Sequence, residues 1–297
     1  MTLVLHARLT FAGGVALACL SGMPSPVSAK DDPSALSTPR LAPCSERYPV
    51  VAQLRPLRWD QTAKQSIRED FTSTRDWGTE NNTSLLPAMT SGLPEPALRV
   101  HYPAGSSSPS DADQEGVPRG GAGFYTEHAD LQYTDRACLH YLLRFDTNFD
   151  FVKGGKLPGL YGGEAPSGGE KVTGENGFSM RLMWREDGQG ELYPYVVGHE
   201  GDSIGRGAWY FPTGRWISVE QELILNTPGK EDGLVRLWID GWPILERRDL
   251  VYRTQSDVGI DGLMFSTFFG GTGEKWRTPR DQHVDFAAFR LHAPKRR

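Results

Sequence analysis

The feature that most constrains this chain is a period-two alternation of apolar and polar side chains, in short runs broken by Gly, Pro, Asp and Ser. Successive side chains of a β-strand point to opposite faces, so such a run buries one face and solvates the other. Residues 97–102 set Leu98, Val100 and Tyr102 against Arg99 and His101, and residues 139–146 put Leu139, Tyr141, Leu143 and Phe145 on one side. Residues 178–184, 192–197, 235–239, 264–269 and 284–291 read the same way, with Asp240-Gly241 as a hairpin-turn signal. In residues 217–225, Gln221 falls in line with Ile217, Val219, Leu223 and Leu225, so its amide needs either an edge position or a buried partner. Strands at this spacing, with no amphipathic helices between them, predict an all-β fold, a β-sandwich of the jelly-roll type.

The amino terminus is of another kind. His6 and Arg8 precede an apolar run, residues 9–20, and a small-residue stretch ending Val27-Ser28-Ala29, the layout of a cleaved signal peptide. Ser21, Gly22 and Pro24 interrupt the run before it reaches the roughly 20 apolar residues that a membrane-spanning helix needs. Cleavage after Ala29 is expected, giving a secreted or periplasmic protein; lipoprotein anchoring at Cys19 is the lesser alternative, because Ala16-Leu17-Ala18 leads into it poorly. Residues 30–46, rich in Pro, Ser and Asp, read as a flexible mature terminus, and residues 47–297 as one domain. Cys44 and Cys138 have no neighbouring Cys or His to complete a metal site, and an oxidising compartment permits a disulfide between them. Asp and Glu outnumber Lys and Arg by 37 to 32, so the molecule as a whole attracts neither nucleic acid nor an anionic membrane. Any polyanion it binds requires a local basic patch. No cofactor is expected, and the chain is expected to act as a monomer.

Such a patch emerges from the parity of one hairpin. Phe178, Met180, Leu182 and Trp184 share one strand face, and Ser179, Arg181 and Met183 the other. A loop with an odd number of residues, centred on Asp187, pairs Met180 with Pro194 and Leu182 with Leu192. It also sets Ser179 opposite Tyr195 and Arg181 opposite Tyr193. An even loop would set apolar side chains against polar ones, so burial selects the odd one. Pro194 is the weak point, because proline in a sheet keeps to edges and bulges. The resulting Arg, Ser and Tyr surface is either a site or a plain solvated face with cross-strand contacts. The Gly-rich residues 151–163, carrying Lys153 and Lys156, have an ordinary strand-to-strand loop as their plain reading, and they lack the Ser or Thr that follows the Lys of a phosphate loop. Residues 105–123 read as a long loop, either a mobile decoration or part of a binding rim.

Three segments carry a resemblance. Residues 151–159 (Phe-Val-Lys-Gly-Gly-Lys-Leu-Pro-Gly), then 179–184 (Ser-Met-Arg-Leu-Met-Trp), then 192–195 (Leu-Tyr-Pro-Tyr) resemble, in order and spacing, the core of polysaccharide lyase family 14, with wider similarity over residues 97–291. The resemblance implies a jelly-roll enzyme that cleaves 4-linked uronate polysaccharides, alginate or glucuronan, by β-elimination. It implies Lys156, Ser179, Arg181, Tyr193 and Tyr195 as catalytic residues, and Lys153, Arg185 and His199 are expected to contact substrate. The chemistry wants those types: the C5 proton of a uronate becomes acidic only when a cation neutralises the neighbouring carboxylate. Lys156 or Arg181 supplies that charge, Ser179 a hydrogen bond, and the two tyrosines the base and acid if nearby cations help a phenol to ionise.

Two rival readings differ observably from this one. A retaining glycosidase needs two carboxylates about 5–5.5 Å apart; Glu220 and Glu222 share a strand face, but a solvated charged face accounts for them. A non-catalytic carbohydrate-binding module would offer Trp209, Trp238 or Trp276 as stacking platforms, where core positions are the expectation for most of them. A binder leaves polymer length unchanged.

Overall fold

The structure, a computed structural model, describes residues 41–132 and 134–295. The expected signal peptide, residues 1–29, and most of the expected flexible terminus lie outside the described residues. Among the described residues fifteen strands follow one another: β1 (Val50–Leu54), β2 (Ser73–Trp77), β3 (Thr83–Leu86), β4 (Ala97–Tyr102) and β5 (Ala122–Thr126). Next come β6 (Arg136–Phe145), β7 (Gly154–Gly163), β8 (Gly177–Arg185), β9 (Gly190–Val196) and β10 (His199–Glu200). The last are β11 (Ile217–Ile224), β12 (Gly233–Ile239), β13 (Trp242–Leu250), β14 (Gly262–Phe269) and β15 (Gln282–His292). One sheet runs β13-β12-β11-β6-β15-β4-β3, with β1 added to β15; the other runs β10-β9-β8-β7-β14-β5-β2. The pairing within both sheets is antiparallel, and their inner faces meet in one apolar core, so the fold is the expected β-sandwich. Among the described residues no helix is long and apolar enough to cross a membrane.

The β8–β9 hairpin has the register that burial requires. Ser179 faces Tyr195, Met180 faces Pro194, Arg181 faces Tyr193 and Leu182 faces Leu192. Asp187 and Gly188 make the turn in the left-handed region, at φ 59° and 77°. Pro194 is tolerated because of the side on which its missing N–H would fall. Leu192, two residues earlier and so on the same side, exchanges hydrogen bonds with Ile204 outside the main ladder, and the Pro194 carbonyl accepts from Gly201 N–H at 2.8 Å.

The Gly-rich stretch departs from its plain reading as a loop. Most of it is β7, an interior strand of the second sheet. Its glycines answer to bulky neighbours: a Cβ on Gly155 would lie 2.1 Å from the Trp184 indole, and one on Gly159 would lie 1.9 Å from the Met180 carbonyl oxygen. Between Leu157 and Leu160 the strand carries one more residue than β8 does, a β-bulge at Pro158-Gly159. The bulge reverses parity, so Leu157 and Leu160 both enter the core although they are three residues apart. The ladder is repaired from the opposite sheet. Fully buried Gln221 of β11 accepts from Leu160 N–H at 2.8 Å and donates to the Met180 carbonyl at 2.6 Å, which is the partner its buried position demanded.

The start of the described chain is folded as well. Residues 44–46, read as part of a flexible terminus, belong to helix α1 (Cys44–Arg47), and a disulfide joins Cys44 to Cys138 on β6. Glu220 and Glu222, expected on a solvated face, are buried beneath this arm. Glu222 takes Arg47 and Tyr48 at 2.6 Å and Arg236 at 3.1 Å, while Glu220 accepts from the Ser45 amide at 3.0 Å and hydroxyl at 2.8 Å. The cover comes from about 175 residues away in sequence, so local alternation gave no sign of it.

Candidate active site

Polar residues gather on the outer face of the second sheet, where a cleft of about 540 Å³ opens. Lys156, Arg181, Tyr193 and Tyr195 form its floor, and Trp77, Tyr125 and Phe268 stand beside them. The floor follows directly from the hairpin: Arg181 and Tyr193 are cross-strand partners, and Lys156 faces Met183 from β7.

The two basic side chains are buried, and no carboxylate is within ion-pair distance of either among the described residues; Lys156 is 8% exposed and Arg181 3%. The Lys156 ammonium nitrogen rests 2.8 Å from Met183 Sδ and 3.1 Å from the centroid of the Tyr193 ring. Burial, reinforced by the charges of Arg181 and Arg185, holds its pKa well below the ordinary lysine value, and Glu191 offsets only part of this. Arg181 is lowered too by burial, but a guanidinium keeps its charge under such conditions. Its Nε is buried with no hydrogen-bond partner among the described residues, an unmet donor at the floor of the cleft.

Tyr193 departs from the expectation that neighbouring cations would help it ionise. Burial pushes the Tyr193 phenol up to about 12, its hydrogen bond with Tyr195 adds to the rise, and Arg181 and Arg185 recover only part of it. The rings stand 5.7 Å apart, and the Tyr195 oxygen accepts from Gly169 N–H at 2.8 Å. Gly169 belongs to the β7–β8 loop, which also receives Ser179: the buried Ser179 hydroxyl donates to the Pro166 carbonyl at 2.7 Å. Ser179 therefore shapes the rim instead of lining the cleft.

A family profile for polysaccharide lyase 14 matches residues 91–289. The chain belongs to polysaccharide lyase family 14. Among solved structures, the PL-14 alginate lyase from Aplysia kurodai superposes with a TM-score of 0.72 at 32% identity, over 83% of this chain and 100% of that one. Alginate lyase Aly36B has a TM-score of 0.67 at 21% identity, over 82% of this chain and 98% of its own, and shares the fold. So does the endo-β-1,4-glucuronan lyase from the fungus Trichoderma reesei, with a TM-score of 0.52 at 12% identity over 82% and 96%. A comparison with curated proteins returns no match. This family 14 chain is a polysaccharide lyase.

In the lyase the remaining expected contacts lie off the cleft lining. Lys153 pairs with Glu186 at 3.1 Å on an exposed turn. Arg185 is matched by Glu191, at 2.5 Å, and Glu191 also takes Arg206 at 2.7 Å, so these charges are already spent. Burial raises the pKa of Glu191, but Arg185, Ser203 and Arg206 outweigh it and keep the carboxyl below its ordinary value. His199 Nδ1 meets Asp202 at 2.7 Å outside the cleft. Glu220 and Glu222 lie on the other sheet of the lyase, and Trp209 and Trp238 are core residues, while Trp276 is half-buried near Arg185. Among the described residues the grouping with metal-ligand spacing is Cys44, Cys138 and Glu220, and its two sulfurs are bonded to each other. Sequence reasoning missed Tyr125, Trp77 and Phe268. Residues 105–123 proved to be a rim: helix α2 (Pro109–Glu115) forms there, and Ser108 to Ser110 line the cleft. Asp111 fixes it, accepting from Ser107 at 2.6 Å and from Gly273 N–H at 2.9 Å.

Proposed function

We propose that this lyase cleaves 4-linked polyuronates with Lys156 as the base, Arg181 as the carboxylate clamp and Tyr193 as the acid. The observation that carries the proposal is a buried arginine without a carboxylate beside a buried lysine amine, in a cleft open to a chain. An anionic sugar supplies the missing partner. Bound to Arg181, its carboxylate loses the charge that opposes enolate formation at C5. The depressed pKa of Lys156 makes its amine easier to hold unprotonated for taking the C5 proton, and the raised pKa of Tyr193 keeps a proton ready for the departing O4. The electron pair of the C5–H bond becomes the C4–C5 double bond as the C4–O4 bond breaks. Lys156 is then protonated and Tyr193 deprotonated, and proton exchange with solvent after product release restores both. Alginate is the first substrate to test, because it is what the Aplysia kurodai relative is named for. Incubation with alginate, its separated mannuronate and guluronate blocks, and glucuronan should shorten at least one polymer with rising ultraviolet absorbance. Shortening without absorbance would reject elimination. Export belongs to the same proposal: the Cys44–Cys138 bond fits an oxidising compartment, where such a polymer is met.

A further inference from the structure

Arg75 lies on β2, at the edge of the sheet that carries the cleft, and the sequence gives it no role. A β-bulge between Ser73 and Arg75 puts it in register with Tyr125 of β5, and the two side chains stack: the guanidinium carbon is 3.7 Å from the centre of the Tyr125 ring. Trp77, two residues on and therefore on the same face, stands beside the cleft, as does Tyr125 itself. Arg75 is exposed, and among the described residues its charge meets no carboxylate; its one polar contact is a long one, 3.5 Å, to the Glu164 carbonyl. The adjacent Asp76 cannot neutralise it, since it turns to the opposite face and takes Arg68 at 3.5 Å. Stacking uses the flat face of a guanidinium and leaves its N–H edge for a planar anion. Burial raises the pKa of the Tyr125 phenol, and the charges of both Arg75 and Arg181 act against that rise, so this ring stands between a cation on the floor and one at the edge.

We propose that Arg75, held by Tyr125, binds the carboxylate of a second uronate of the same polymer, beyond the one clamped by Arg181. The proposal rests on the reading of the cleft as a polyuronate site. β8 and β2 are four strand steps apart in the sheet, about 19 Å between backbones, so a chain laid across the strands passes both arginines. The subsite makes the enzyme select runs of consecutive uronates over isolated ones, because an uncharged sugar at this distance leaves Arg75 unmatched. A charge that only keeps the sheet edge from pairing with other chains is the competing account of Arg75, and it predicts no effect on sugar binding.

Calorimetric titration separates the two. Lys156→Met, which blocks turnover, is titrated with polymannuronate, polyguluronate and their trisaccharides, with and without Arg75→Gln. Arg75→Gln should weaken polymer binding about tenfold at low salt and leave the trisaccharide constants within twofold, and the difference should shrink at high salt. Arg75→Lys, which keeps the charge but not the planar fork, should fall between. Arg248→Gln, which removes an exposed arginine from β13 of the other sheet, should change neither constant. Equal polymer affinity with and without Arg75, or equal losses for polymer and trisaccharide, would overturn the subsite. So would no binding of any polyuronate. If the polymers bind in an Arg75-dependent way but the wild-type chain forms no unsaturated ends, the subsite stands and the lyase chemistry assigned to Lys156 fails.

Discussion

Lys156 shows how much a single residue gives up for function. In the unfolded chain its amine has an ordinary pKa near 10.5, and in the cleft that value is well depressed. A base with a depressed folded pKa destabilises the fold as pH drops from the unfolded value towards the folded one, and the loss persists in full below both. Lys156→Met should therefore raise the melting temperature at neutral pH while lowering turnover by about 10²–10⁴, the share of a positioned base. A fall in melting temperature would mean that the ammonium is matched in the folded protein. The pH profile carries the same logic: the acid limb of kcat/KM should lie well below 10.5, and the alkaline limb near the Tyr193 value of about 12. Tyr193→Phe keeps the ring against Lys156 and should abolish most turnover without unfolding. A Tyr193→Phe enzyme with full turnover would remove it from the role of acid. Tyr193 was legible beforehand because the alternation sorted the hairpin residues by face, and Lys156 only through the family resemblance. Their protonation was not, since it depends on burial by loops and neighbours that alternation does not describe.

At the level of elements, the β7 bulge sets the geometry of the floor. Lys156 lies just before it and Arg181 lies across from it on β8, so the bridge from Gln221 to Leu160 N–H and the Met180 carbonyl helps fix the distance between Lys156 and Arg181. Gln221→Leu keeps the volume but strands two buried backbone groups, and should cost about 2–6 kcal/mol in urea unfolding at roughly 1–3 kcal/mol for each. Turnover of the folded fraction should drop together with stability. Full turnover with the expected loss of stability would show that the bridge does not position the site. The β8–β9 register was readable because two faces of opposite character admit only one parity. β7 was not, because Gly155, Pro158 and Gly159 carry the composition of a loop, and the reason for the glycines is Trp184 and Met180 on the neighbouring strand. Ser-Thr-Arg-Asp-Trp of β2 has no apolar alternation at all, so Trp77 and Arg75 became visible only once β5 lay beside them.

Across the whole molecule the two sheets divide the work. The outer face of one carries the cleft, and the outer face of the other is closed by the arm through the Cys44–Cys138 bond and the Glu222 ion pairs. The pair Cys44→Ser and Cys138→Ser should lose about 2–4 kcal/mol, mainly through the freed unfolded chain. Turnover should be unchanged below the lowered melting temperature, and a lowered turnover there would show that the arm acts on the cleft from the far sheet. The sandwich itself was legible in the sequence because alternation records burial on one face at a time. The arm's cover was not, and residues 105–123 could not be decided between decoration and rim, because each is fixed by segments far apart in the chain. The central claim is that the cleft breaks a sugar chain by eliminating its own C5 proton. Digestion of polyuronate in heavy-oxygen water, followed by mass spectrometry of the new ends, tests that most directly: the account predicts unsaturated ends that carry no solvent oxygen, and saturated ends that carry it would contradict the account.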